Sequence, residues 1–275
     1  MNSSDFEFVA DLLRKRAGIV LGAEKTYLID SRLAPLARKE GLPSIDDLIQ
    51  VVRGRRDERL ISQVVDVMTT NETFFFRDRT PFAHLRETIF PMLAQARRGS
   101  RIRIWCAGCA SGQEPYSIAM MLDQQPKLTG GVPVEIVATD ISDRVLEKAR
   151  SGLYTQFEVQ RGLPIQLLMN YFTQQDDSWR ISERLRANVT FRKHNLIEPS
   201  AALGKFDIVF CRNVLVYFDP PTKTAVLGRI AEQLNPGGAL LMGASESVIG
   251  LSTTFEANPE RRGLYRIKQK AEKAA

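Results

Sequence analysis

The chain has 275 residues, 44% hydrophobic and 25% charged, a globular composition with room for one sizeable core or two unequal domains. No apolar run reaches the ~18 residues of a membrane span, and Met1 to Glu7 lack the basic-then-apolar pattern of a secretory signal, so a cytoplasmic location is expected. The net charge of +6 is a mild excess, which points to an acidic protein surface as partner, or to nothing specific, ahead of nucleic acid.

Residues 1 to about 70 read as a small helical bundle or cap. Phe6, Val9, Leu12 and Leu13 recur at helical spacing, as do Leu28, Leu33 and Leu36, then Leu60, Val64, Val67 and Met68. Gly18, Gly22, Gly41-Leu42-Pro43 and Gly54 mark the breaks. The second helix carries Lys25, Arg32 and Lys39 at seven-residue intervals, with Arg38 alongside. One basic stripe results, either a solvated face or a docking face. Next come Thr69-Thr70-Asn71-Glu72-Thr73 and three consecutive phenylalanines, Phe74, Phe75 and Phe76, before Arg77. Three adjacent rings cannot share one helical or strand face, so a linker packed between two domains is predicted. Asn71, Thr73 and Arg77 then lie at that seam, where ligand sites tend to form.

From about residue 100 strand and helix patterns alternate, which implies a mainly parallel sheet covered on both faces. The β-favouring run Arg101 to Cys106 breaks at a small-residue loop, with Gly108, Ala110 and Gly112 at alternate positions, and a helical pattern follows from Tyr116. Such a loop turns tightly and lets backbone approach a ligand, as in the first βα unit of a nucleotide-type α/β domain. The next strand, 134–139, runs into Asp140, a carboxylate placed to accept hydrogen bonds from ribose hydroxyls. Further strands are predicted at 189–193, 206–211 and 238–243, with a final pair near 247–251 and 263–267. Gly237-Gly238 is read as a break between a helix ending near Leu234 and its following strand. Residues 170–182 look instead like a β-hairpin turning at Asp176-Asp177-Ser178, part of a small antiparallel insertion at about 168–188. The tail Lys268 to Ala275 is expected to fray.

Cys106, Cys109 and Cys211 are the cysteines. The C-x-x-C pair has no second Cys/His pair to complete four ligands, so it reads as buried thiols. His84 and His194 are far apart, which makes a histidine metal site or triad improbable, and no metal is expected.

With these pieces in place, the chain resembles the chemotaxis receptor methyltransferases, the S-adenosylmethionine-dependent protein-glutamate O-methyltransferases called CheR. The resemblance covers essentially the whole chain. It rests on Asn71 to Arg77, on Gly108-Cys109-Ala110-Ser111-Gly112-Gln113-Glu114-Pro115-Tyr116-Ser117, on Ala138-Thr139-Asp140-Ile141-Ser142, on His194-Asn195-Leu196, and on Phe206 through Phe218. It implies an α/β protein: a helical domain at 1–70, for receptor docking and active-site capping, then a Rossmann-like S-adenosylmethionine-binding methyltransferase domain at 71–275 carrying the β-subdomain.

By the same resemblance, Asn71, Thr73 and Arg77 match the interdomain motif at the cofactor's methionine end. Glu114 matches the acidic residue for its amino group and Asp140 the ribose carboxylate. Asn195 and Leu196 would frame the adenine, and Asn213 and Val214 would lie beside the cofactor. Each has a local alternative. A carboxylate at Glu114 suits a helix start, Asp140 is placed to cap a helix at Ser142 or Asp143, and Asn213 is a natural turn residue. Arg77 and Tyr217 are expected nearest the transferred methyl, Arg77 orienting the incoming carboxylate and Tyr217 positioning it or the cofactor. The alternative for Arg77 is an ion pair with Asp78 or Asp140.

The implied activity is methyl-ester formation on glutamates of chemoreceptors, setting adaptation in bacterial chemotaxis, with S-adenosylhomocysteine as product. The implied partners are the cytoplasmic coiled coils of membrane receptors, docking through Lys25, Arg32, Arg38 and Lys39 and through the β-subdomain in some family members. No membrane insertion is expected, and a monomer is. Nucleic acid methylation is disfavoured because Asp219-Pro220-Pro221 lies too far past the fourth strand and lacks a following aromatic; it reads as a helix start. A non-catalytic adaptor and a dehydrogenase fit less well, the first because the cofactor positions are intact, the second because G-x-G-x-x-G is missing.

Overall fold

The computed structural model describes residues 3–55 and 57–268. Four helices open the chain: α1 (Ser3–Ala17), α2 (Thr26–Lys39), α3 (Ile45–Arg55) and α4 (Glu58–Met68). Their apolar stripes meet in a separate core that includes Val9, Leu13, Ile29, Leu33, Leu48 and Val64. Asp57 starts α4 by accepting from the N–H groups of Arg59 and Leu60. Gly54 lies one residue before the end of α3, next to the break that precedes α4. It sits in the last turn of α3, where a glycine costs only about 1 kcal/mol.

Beyond the linker, α5 (Thr80–His84) runs through a π-helical turn into α6 (Phe90–Ala96). The alternating part then follows: β1 (Ile102–Ala107), α7 (Gln113–Gln124), β2 (Val134–Asp140) and α8 (Asp143–Ser151). A short excursion holds β3 (Leu153–Thr155), α9 (Gln156–Gln160), α10 (Ile165–Tyr171), β4 (Phe172–Gln175), β5 (Ser178–Ile181) and α11 (Glu183–Ala187). The chain returns with β6 (Val189–Lys193), β7 (Phe206–Cys211), α12 (Pro220–Gln233), β8 (Leu234–Met242), β9 (Phe255–Ala257) and β10 (Leu264–Ile267).

The main sheet has the order β6-β2-β1-β7-β8-β10-β9. The pairings from β6 to β8 are parallel, and β10 is antiparallel to both its neighbours. Its central strands are buried on both faces, which explains why apolar residues occupy most of their positions. β1 lies between β2 and β7, so the chain moves outward in opposite directions from this point and leaves a crevice at the carboxyl ends.

Several boundaries differ from the sequence reading. The strand expected at 238–243 begins at Leu234, directly after α12, and carries Gly237-Gly238 within it. A register shift beside β7, from the pair Phe206–Leu234 to the pair Ile208–Ala239, absorbs the extra residues as an irregularity. The strand expected near 247–251 is a turn, because Leu251 and Ser252 both donate to the Val248 carbonyl; the edge strand is β9 instead. Val248 packs into the core from that turn, so its apolar character is not a strand's. The β-subdomain starts earlier than 168, since β3 pairs with β5 and completes the order β3-β5-β4. Three residues are too few to show a period. The expectation of a frayed tail falls outside the described residues after Lys268.

The three phenylalanines diverge, but none enters the core of the helical unit. Phe75 is fully buried and meets Tyr154 and Phe172 edge-on at 5.1 and 5.6 Å. Phe76 packs on Phe82, and Phe74 lies between the guanidinium groups of Arg77 and Arg161. The linker is thus anchored in the α/β part and its β-subdomain. The helical unit is joined to that part by polar ties, by a backbone bridge between Ile19 and Phe218, and by the apolar contacts of Ile19 and Ile141. Arg14 pairs with Asp219 at 3.1 Å, Ser142 Oγ donates to Asp66, and Arg144 donates to Asn71 at 3.2 Å. Among the described residues no helix is long and apolar enough to cross a membrane.

This divergence sets unequal costs for truncation. Phe75→Ala is expected to lower unfolding free energy by about 3–5 kcal/mol. Phe74→Ala, which loses a half-buried ring and two cation–π contacts, should cost about 1–2 kcal/mol. Urea denaturation of both variants measures the difference.

Candidate functional site

A cavity of about 840 Å³, open to solvent on one side, lies at the carboxyl ends of β1, β2, β6 and β7. Ala17, Ile19 and the linker residues Thr69 to Thr73 form its roof. Every site residue singled out in the sequence lines it: Asn71, Thr73, Arg77, Glu114, Asp140, Asn195, Leu196, Asn213, Val214 and Tyr217.

The floor begins with the loop after β1. The N–H groups of Gly108 and Cys109 both donate to the Thr139 carbonyl, at 2.8 and 2.9 Å, folding the loop back over β2. Gly108 has φ +78°, and a Cβ there would stand 2.5 Å from Val214 Cγ2. Only glycine allows the loops after β1 and β7 to close together.

Asp140 ends β2 and is buried. Its Oδ2 accepts from the Ala110 N–H at 2.8 Å and its Oδ1 from the Ser142 N–H at 3.0 Å. These two bonds aim the carboxylate and leave each oxygen acceptor capacity on the cavity side. Burial pushes the carboxyl above its usual range, while the Ser142 and Ala110 N–H groups pull it down. The cap of α8 is Ser142, whose hydroxyl accepts from Val145 N–H at 3.3 Å. Helix capping therefore does not account for Asp140.

Glu114 sits in the first turn of α7, buried, with Arg212 Nη1 donating to it at 2.7 Å. Burial raises its carboxyl and Arg212 opposes that rise. Arg212 also donates through Nη2 to Asp78 at 2.7 Å and to the Arg77 carbonyl at 2.8 Å. Sequence reasoning missed this residue. Its partners come from elements distant in sequence, so no local pattern marked it.

Arg77 is free of the ion pairs considered for it. Asp78 is taken by Arg212, and Asp140 by backbone N–H groups. Arg77 Nη1 donates to the Glu72 carbonyl at 2.9 Å, and its guanidinium lies 5.5 Å from the Phe74 ring centre. Tyr217 closes a single 3-10 turn, Leu215–Tyr217, and its carbonyl accepts from Val20 N–H at 2.9 Å. Floor and roof are thereby joined.

Asn195 makes a similar join, donating through Nδ2 to the Arg16 carbonyl at 2.7 Å. Its amide is committed to the roof, so Leu196 and backbone supply the wall at this corner. Asn213 is in the left-handed region at φ +58°, and its Oδ1 is buried with no hydrogen-bond partner among the described residues. The N–H groups of Asn213 and Val214 both donate to Glu246, a second residue the sequence reading passed over.

The basic stripe is shorter than its spacing implied. Lys25, Arg38 and Lys39 are exposed, Lys25 in the turn before α2. Arg32 is half-buried and donates to the Met68 carbonyl at 2.6 Å and to Thr70 Oγ1 at 3.1 Å. It holds the start of the linker and is withdrawn from any docking face. Cys106, Cys109 and Cys211 are buried free thiols, raised in pKa by burial.

The cavity combines two fixed carboxylates, an unpaired guanidinium, a phenol and an apolar corner. Comparison with known proteins identifies the family. The family model for the CheR methyltransferase all-alpha domain matches residues 4–69, and that for the CheR methyltransferase SAM binding domain matches residues 71–264. The chain is 44% identical over 259 residues to a chemotaxis protein methyltransferase of Vibrio parahaemolyticus, covering 93% of this chain and 94% of the relative. It is 43% identical over 258 residues to chemotaxis protein methyltransferase 1 of Pseudomonas aeruginosa, covering 92% and 94%. The chain belongs to the CheR family of methyltransferases, with the family's all-alpha domain preceding its S-adenosylmethionine-binding domain.

Proposed function

We propose that this methyltransferase esterifies glutamate side chains on the coiled-coil helices of chemoreceptors and so sets receptor adaptation. The observation that carries the reading is the convergence of Asp140, Glu114, Arg77 and Tyr217 on one cavity between two separately cored units. The donor set fits S-adenosylmethionine. Asp140 keeps acceptor capacity for a pair of ribose hydroxyls, Glu114 is a carboxylate for the ammonium, and Leu196 with Ile141 offers an apolar wall for adenine. The unpartnered Asn213 Oδ1 is an acceptor for which the described residues supply no donor.

When bound, the cofactor supplies a methyl group activated by its sulfonium. The chain's residues have a limited task. A glutamate carboxylate with a reference pKa near 4.3 is ionised at neutral pH, so no general base is required. Both reactant charges diminish toward the transition state, and a site that excludes water and aligns the reacting atoms favours this. Arg77, held by Glu72 and Phe74, orients the incoming carboxylate, and Tyr217 fixes the geometry near the methyl group. Lys25, in the turn before α2, and Arg38 and Lys39, in its last turn, are exposed and complement a carboxylate-rich helix.

Titration calorimetry with S-adenosylhomocysteine tests the cofactor reading: wild type should bind in the micromolar range and Asp140→Ala about 10- to 100-fold more weakly. A folded wild type that does not bind would overturn it. Arg77→Ala and Tyr217→Phe should each reduce methyl transfer to receptor fragments, Arg77→Ala by about two orders of magnitude. Wild-type rates in both would exclude these roles. Reversing two charges, Lys25→Glu with Lys39→Glu, should raise the KM for receptor roughly tenfold with unchanged S-adenosylhomocysteine affinity. An unchanged KM would remove α2 from the docking face.

A further inference from the structure

We infer that Glu246, in the loop after β8, is a positioning residue for the turn after β7 that presents Asn213, Val214 and Tyr217 to the cavity. The inference rests on the reading of that cavity as the cofactor site. Glu246 accepts four backbone N–H groups. Its Oε2 takes those of Asn213 at 2.7 Å and Gly243 at 2.9 Å, and its Oε1 takes those of Val214 at 3.0 Å and Val216 at 3.3 Å. Three of the four donors belong to one turn, and their convergence makes a small anion-binding concavity that the chain fills with its own carboxylate.

The turn needs such an anchor. β7 ends at Cys211, after which Asn213 adopts the left-handed conformation and a single 3-10 turn delivers Tyr217. Asparagine tolerates that conformation without enforcing it. Without Glu246 the three turn N–H groups lose their acceptor, and the segment keeps the packing of Val214, Leu215 and Tyr217 and the Val20 bond to Tyr217, none of which fixes the backbone of Asn213. The packing around the carboxylate is tight. A Cβ at Gly243 would stand 2.8 Å from Glu246 Oε2 and 3.0 Å from both Asn213 N and Nδ2. The ends of adjacent strands β7 and β8 thus close on one charge.

Two substitutions separate this role from general stability. Glu246→Gln keeps the shape but retains one acceptor oxygen, so its amide faces two N–H donors. Gly243→Ala leaves the carboxylate intact and crowds it out of place. In ligand-free protein, amide hydrogen exchange in residues 213–216 should quicken at least about tenfold in both variants, with β1 and β2 unaffected. S-adenosylhomocysteine should bind about tenfold more weakly at temperatures where both variants are folded. Unchanged exchange in the turn, or faster exchange spread evenly over the chain, would overturn the inference. So would wild-type affinity with a loosened turn. If wild type itself fails to bind S-adenosylhomocysteine, the cofactor reading falls separately, and exchange alone decides whether Glu246 holds the turn.

Discussion

A buried guanidinium has to be neutralised where it sits, and Arg212 meets that demand with groups from three parts of the chain. It leaves the end of β7, pairs with Glu114 at the start of α7, and reaches Asp78 and the Arg77 carbonyl in the linker. Truncating Arg212 itself would strand the buried Glu114 carboxylate without its counter-charge, a loss of the order of 3–5 kcal/mol. The cavity depends on this constraint. The helix that carries Glu114, the strand that leads into Asn213 and the segment that carries Arg77 cannot shift independently while it holds.

Asp140 and Glu114 are both buried carboxylates, yet they are stabilised differently. Asp140 relies on two backbone N–H groups, so its direction is set by the loop after β1 and the start of α8. Glu114 relies on a formal charge, so its direction is set by a side chain. The first arrangement leaves an exposed edge of the carboxylate, suited to neutral hydroxyls. The second leaves a carboxylate already half-compensated, suited to a cation shared with Arg212 rather than held alone.

The alternation of strands and helices was readable because β1, β2 and β7 are short, mainly apolar and β-favouring segments at loop-bounded intervals. The ten cavity residues were readable through short motifs at strand ends. The errors share a cause. β3 is too short for periodicity, the turn at Val248 carries core residues without strand geometry, and the irregular start of β8 disguises a strand as a glycine break. Arg32 was misread because heptad spacing reports which face a residue occupies but not whether a carbonyl lies within its reach. Arg212 and Glu246 were invisible for the complementary reason: their roles exist only between elements distant in sequence, and no local pattern encodes a partner 98 or 33 residues away.

The roof and floor of the cavity belong to units with separate hydrophobic cores, and the contacts that join them include apolar ones at Ile19 and Ile141 and four hydrogen bonds: Asn195 to Arg16, Val20 to Tyr217, Ser142 to Asp66 and Arg144 to Asn71. Water competes readily for such bonds. A molecule touching both walls adds contacts that exist only while the units are together. By thermodynamic reciprocity, cavity occupancy and the cohesion of the two units are then a single equilibrium. The helical unit is in this sense part of the ligand's binding energy, and its grip on the α/β part is a reporter of what the cavity contains.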